Sequence, residues 1–214
     1  YLDDVELTEI IVPNEITQIK DYTLYGASSI TSIIMPENVL NIGDSAFYGC
    51  ESLQSVTIKG DVLRIGANSF YNCYNLISIS IFKVKNIENN AFFNCKKLNK
   101  VSISNLKSWF EINFYSEYSN HHSSNPLYYG HHLYVDDKEV IEIDIPSSVI
   151  QINERVLVGA SSITSITIPE SVETIGNYAF GWCTGLTSLK FKNNSQLTSI
   201  GDYAFFNCSE LKSI

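Results

Sequence analysis

Apolar residues recur along this chain in short alternating runs, about 23 positions apart, and that pattern predicts a stack of β-coils. In "ITSITIP" (163–169), Ile166 and Ile168 alternate with Thr167, which points the other way. Strict alternation is the mark of a short strand with one buried face. Pro169 ends the run, because proline brings no N–H to a ladder. "SVETIG" (171–176) then turns back with Val172 and Ile175 inward. "NYAFGWC" (177–183) fits one helical turn that aims Ala179, Phe180 and Cys183 at the core, and Leu186 opens the next strand.

The unit repeats. "LNIGDSAFYGCESLQSVTI" (40–58) is echoed by "LRIGANSFYNCYNLISISI" (63–81), and the theme returns at 174–191 and 199–214. Cys50 and Cys73 lie 23 residues apart, Cys73 and Cys95 22, and Cys183 and Cys208 25. Phe47, Phe70, Phe92, Phe180 and Phe205 each stand three residues before one of these cysteines. A coil this short cannot bury its own apolar face, so the period predicts a solenoid with a phenylalanine column filling the core. A longer period lies above the first. "YLDDVELTEIIVP" (1–13) matches "YVDDKEVIEIDIP" (134–146), and "GASSITSI" occurs at 26–33 and 159–166, both at an offset of 133. Since solenoids need polar caps, the chain's ends read as cut from something longer, with a further irregular segment expected before Tyr1.

On the shared pattern I-G-x-x-A-F-x-x-C, typified by "SVETIGNYAFGWCTGLTSLKF", the chain resembles the BspA-like leucine-rich repeat family. The likeness covers the chain outside 104–133, and Trp109 with "NPLYYG" and "HLYV" (both within 125–135) resembles an interruption that recurs between repeats in that family. The chain departs from the pattern in places. The coil at 76–97 lacks the strand-ending proline; the coils at 7–29 and 141–162 carry Leu24 and Leu157 in place of Phe, and Ala27 and Ala160 in place of Cys. The resemblance implies an α/β leucine-rich repeat solenoid of about eight coils, each of parallel strands plus a short helical turn. It spans 1–214 as one domain and is interrupted by an aromatic island at about 104–139. It further implies a cell-surface or secreted adhesin of bacteria or protists with a protein or glycan partner. A fold alone names no partner.

Composition narrows the classes. At 44% hydrophobic and 17% charged residues the chain is an ordered protein. A net charge of −9 opposes a nucleic-acid surface, which needs clustered Lys and Arg. No apolar run approaches the length that spans a bilayer.

Candidate chemistry is sparse. The five cysteines contain no CxxC pair, and Ala27 and Ala160 share their repeat position. Alanine replaces a packed thiol but neither a metal ligand nor a disulfide partner, so the cysteines read as buried thiols. All four histidines, His121, His122, His131 and His132, fall in "HHSSNPLYYGHH" (121–132). Adjacent pairs diverge in extended chain and lack the spacing of helical zinc sites, so no metal or other cofactor is assigned. The island's Trp109, Phe110, Ile112, Phe114 and Leu127 read as a small core of its own. Tyr115, Tyr118, Tyr128, Tyr129 and the four histidines read as the exposed members, and of these Tyr115, Tyr118, Tyr128, Tyr129, His131 and His132 are the recognition candidates, since tyrosine gives contact area and a polar handle.

On the open sheet face the outward mid-strand positions are Ile11, Ile34, Thr57, Ser80, Ser102, Asp144, Thr167 and Lys190. Thr57, Ser80 and Thr167 are its ligand-binding candidates, against a plain reading as a soluble β-prone surface. "YVDDKEV" (134–140) reads as a hairpin tip, and nothing resembles a nucleophile elbow, a phosphate loop or a catalytic triad, so the chain is read as a non-enzyme. Two other readings stay open: a structural spacer whose island locks two solenoid blocks in register, and a metal-dependent enzyme centred on the histidines.

Overall fold

The computed structural model describes residues 8–116 and 122–212. It is a β-solenoid whose main row of strands is built as the alternation predicts. Glu9–Ile11, Ser32–Met35, Ser55–Ile65, Ser78–Ile87, Lys100–Ile103 and Leu133–Val135 pair in parallel in that order. A short antiparallel strand, Lys138–Glu139, closes this sheet. A second sheet follows from Glu142–Asp144, Ser165–Ile168 and Ser188–Phe191. Two-residue strands such as Asn41–Ile42 and Thr174–Ile175 form a second wall across the core. The ladders place Ile11, Ile34, Thr57, Ser80 and Ser102 in one register line, and Asp144, Thr167 and Lys190 in another. The hairpin at Asp136-Asp137 is also present, both residues having positive φ, as a tight primed turn requires.

Between the two walls lies the aromatic core. Phe47, Phe70 and Phe92 are buried and stacked at centroid distances of 5.1 and 5.3 Å, and Phe180 stacks on Phe205 at 5.2 Å. Val172, Ile175, Ala179 and Cys183 face inward as their spacing predicts.

The segments expected as helical turns fold differently. Each coil carries two residues of positive φ four positions apart: Tyr22 and Gly26, Ser45 and Gly49, Asn68 and Asn72, Asn90 and Asn94, Arg155 and Gly159, Tyr178 and Trp182, Tyr203 and Asn207. Their hydrogen bonds explain why. Tyr22, Leu24 and Gly26 donate to Asp44, Ala46 and Tyr48 of the next coil, at 3.1, 2.7 and 2.7 Å. The alternate N–H groups of Thr23, Tyr25 and Ala27 bond back three residues to Lys20, Tyr22 and Leu24. A helix would turn every N–H along its own axis and leave the next coil's carbonyls unmet. A left-handed non-glycine residue costs about 1 kcal/mol or more, and here the bonds between coils offset it. Coil backbones also touch at the I-G step: a Cβ on Gly66 would lie 2.5 Å from the carbonyl carbon of Gly43.

The cysteines belong to this stacking. All five thiols are free, and Cys50, Cys73, Cys95, Cys183 and Cys208 donate to carbonyls of the preceding coil at 3.0 to 3.3 Å. Burial pushes the thiols of Cys50 and Cys208 up to about 11, from an ordinary value near 9. The folded state therefore holds these protons more tightly than the unfolded chain. That stabilisation is complete below about pH 9 and is lost as pH rises from 9 through about 11. The melting temperature is expected to fall across this window, and to fall less in the double variant Cys50→Ala, Cys208→Ala. Circular dichroism melts at stepped pH check it.

Candidate functional site

Three regions hold the sequence-predicted site residues: the face of the first sheet, the face of the second and the island. On the face, Thr57 pairs in register with Ser80, and Ser80 with Ser102. Thr167 lies in the second sheet between Asp144 and Lys190, apart from the other two. The first sheet's face opens into a cleft of about 600 Å³ whose floor includes Thr57, Ser80 and Ser102.

Its wall arises from a local change in sequence. Where other coils stop their strand at Pro36 or Pro169, two coils carry Lys59-Gly60 and Phe82. With no proline to break the ladder, the strands run on to Ile65 and Ile87. The longer coil fits Lys59 and Gly60 opposite the single residue Phe82, a bulge between Ile58 and Asp61. Gly60 is required there, since a Cβ would lie 2.5 Å from Glu37 O. Phe82 stands 53% exposed at the cleft, unlike the column phenylalanines. Asp61 pairs with Lys83 at 2.7 Å on the surface. The missing proline was visible in sequence; the exposed ring it produces was not foreseen.

The island contains two short helices, Leu106–Phe110 and Leu127–Gly130. Asn105 caps the first by accepting from Ser108 N at 2.8 Å. Trp109, Phe110, Ile112, Phe114 and Leu127 are buried, as read from sequence. The island lies between the two strand stacks and replaces a coil on each side. Toward the first stack, Ser123 O accepts Phe92 N at 2.8 Å, where Ala91 O accepts Phe70 N one coil earlier. Toward the second, Val156 O occupies the repeat position of Ala46 O, which accepts a backbone N–H. Here it accepts Trp109 Nε1 at 2.9 Å and Asn125 Nδ2 at 3.1 Å. Asn125, fully buried, also donates to Arg155 O at 2.7 Å and accepts from Leu127 N at 2.8 Å. Asn125→Ala removes all three bonds inside the protein and is expected to cost about 2–3 kcal/mol. Urea unfolding followed by tryptophan fluorescence measures it.

Of the island residues expected to be exposed, Tyr115 is exposed, while Tyr118 and His121 lie outside the described residues. Tyr128 and Tyr129 are half-buried, less open than expected. The reason is the docking of their helix: Gly130 sits flush on Val101, and Tyr129 OH accepts from Asn94 N at 3.2 Å. Burial pushes the Tyr129 phenol up. The histidines separate. His122 is buried, with ring centroids 4.5 Å from Trp182, 4.7 Å from Tyr178 and 5.5 Å from Tyr128. That corrects its expected exposure; the rings around it come partly from Tyr178 and Trp182, in a coil of the second stack. Exposed His131 donates from Nδ1 to Gly159 O at 2.8 Å, and half-buried His132 meets Glu139 at 2.6 Å. Among the described residues no group of three or more His, Cys, Asp and Glu is placed to hold a metal.

One feature escaped the sequence reading. Tyr25, Tyr48, Tyr71 and Phe93 stack outside the core at centroid distances of 4.8, 4.8 and 4.7 Å. The signal was present: an aromatic follows the column residue in four successive coils.

Over residues 1–121 and 130–214 the sequence matches the family described as BspA type leucine rich repeat region, in six copies. The chain belongs to the BspA-type leucine-rich repeat family. The unmatched residues 122–129 fall inside the island. Among solved structures, the pneumococcal vaccine antigen PcpA is 14% identical over 96% of this chain and 61% of its own, with a TM-score of 0.51. That likeness shows the fold. A leucine rich cell surface protein from Faecalibacterium prausnitzii is 21% identical over 99% of this chain and 67% of its own, with a TM-score of 0.46. The leucine rich repeat protein of T. pallidum is 18% identical over 96% and 78%, with a TM-score of 0.44. No curated protein matches the chain.

Proposed function

We propose that this BspA-type repeat is a cell-surface interaction module, an adhesive surface for a host or neighbouring-cell protein or glycan. The observation that carries the reading is the cleft on the first sheet, where a row of hydroxyls in strict register meets an exposed aromatic ring. Concave sites that mix apolar surface with a few fixed polar groups are the usual form of a binding site. The acidic balance, −9 overall, turns the module away from nucleic acid. Among the described residues no helix is long and apolar enough to cross a membrane. Surface adhesin roles in the family favour a location outside the cell.

The test is binding of the 214-residue chain to immobilised matrix proteins and glycans. Beside it run a face variant, Thr57→Lys with Ser80→Lys, and an island variant, Tyr115→Ser with Tyr118→Ser. Binding lost in the face variant alone supports the cleft; loss in the island variant alone moves the site to the island. A wild type that binds nothing overturns the reading in favour of the second one, a structural spacer. That reading rests on Trp109 and Asn125, whose side chains tie the two stacks together through Arg155 O and Val156 O.

A further inference from the structure

Resting on the interaction-module reading, we infer that the cleft beside Phe82 is a carbohydrate site that takes a neutral oligosaccharide, with the Phe82 ring as its stacking platform. The floor decides the mode of recognition first. The strand Ser55–Ile65 is paired on both flanks, by Ser32–Met35 and Ser78–Ile87, and the latter is paired in turn by Lys100–Ile103. At the floor positions Thr57, Ser80 and Ser102 each strand has a partner on both sides, so an extended peptide cannot bind there by adding a strand. A ligand on this floor is read by side chains alone.

Those side chains are of one chemical kind. Thr57, Ser80 and Ser102 present hydroxyls, each a donor and an acceptor at once. The hydroxyls of a sugar are also donors and acceptors at once, so either partner can rotate to suit the other. The apolar face of a pyranose ring, lined by C–H bonds, matches an exposed aromatic ring. Phe82 is such a ring: the bulge opposite it and the absent proline hold it 53% exposed, outside the core. The charges nearby balance. Lys59 and Glu37 flank the cleft with opposite signs, and Asp61 is paired with Lys83. These nearby charges cancel in pairs, which suits a neutral ligand.

The groove is longer than one sugar. Lys59 and Glu37 also line an adjoining depression of about 380 Å³ that reaches Ile11 and Ile34 across the earlier coils. Strands step along the solenoid by about 4.8 Å each, close to the length of one pyranose unit. An oligosaccharide lying across the strands would therefore meet equivalent positions on successive coils.

The experiment titrates the chain with neutral five- and six-unit oligosaccharides: α- and β-linked glucans, galactans, mannans and chitin oligomers. It is read by calorimetry and by saturation-transfer NMR. At least one should bind, Phe82→Ala should weaken it by about tenfold or more, and Phe82→Trp should retain it. Phe82 is on the surface, so circular dichroism of both variants should match the wild type. No binding by any oligosaccharide, or binding unaffected by Phe82→Ala, overturns the inference. If an immobilised protein then binds and the Thr57, Ser80 face variant loses it, the module reading survives and only the sugar falls. If neither sugar nor protein binds, both fall.

Discussion

Trp109→Ala is expected to destabilise the chain by about 3–5 kcal/mol and to split its unfolding into two transitions. The first effect follows from burial. Trp109 is 1% exposed, its ring is 5.4 Å from that of Phe114, and it is the largest of the fully buried side chains. Removing it leaves a cavity at the joint between the stacks. The second effect follows from topology. Among the described residues the two main sheets share no strand pairing, so coupling between them passes through the island. In repeat proteins stability is a sum of local terms and neighbour interfaces, and weakening one interface separates the blocks. Trp109→Phe keeps much of the ring but loses the bond to Val156 O, which Asn125 still meets. It should cost less, about 1–2 kcal/mol, and leave a single transition. Urea unfolding followed in parallel by circular dichroism and tyrosine fluorescence measures both. A single unshifted transition in Trp109→Ala would mean that the island does not carry the coupling.

The repeat and its register were legible because stacked coils amplify a weak signal. Thr57, Ser80 and Ser102 each sit in an alternating run of sequence too short to place alone, yet their shared phase fixes one line, and the ladders run along it. The column residues Phe47, Phe70 and Phe92 were legible for the same reason. The form of the turns was not. Asn72, Asn94 and Gly49 hint at positive φ, but Tyr178, Arg155 and Trp182 do not, and only bonding between coils makes their conformation tolerable. The cleft was half legible: its floor was named, while Phe82 required knowing that a strand without its proline runs on and meets a bulge. His122 was misjudged because Tyr178 and Trp182, which bury it, approach only once the second stack docks.

Phe70→Ala should have the other large effect, about 3–5 kcal/mol, with Phe70→Leu costing no more than about 1–2 kcal/mol. Phe70 is fully buried in the middle of the column, between Phe47 and Phe92, so its loss opens contact on both sides. The chain itself shows that leucine fits the position, since Leu157 fills it, fully buried, in the first coil of the second stack. Alanine removes the ring and offers nothing in return, and parallel ladders on both flanks keep the coils from closing the gap. The cost should therefore sit near the top of the usual range for a buried aromatic. Urea midpoints for the three proteins provide the measure, with the slope of the transition unchanged in Phe70→Leu. If Phe70→Ala cost no more than Phe70→Leu, the coils would have collapsed onto the cavity, and the column would be filler rather than the element that sets their spacing.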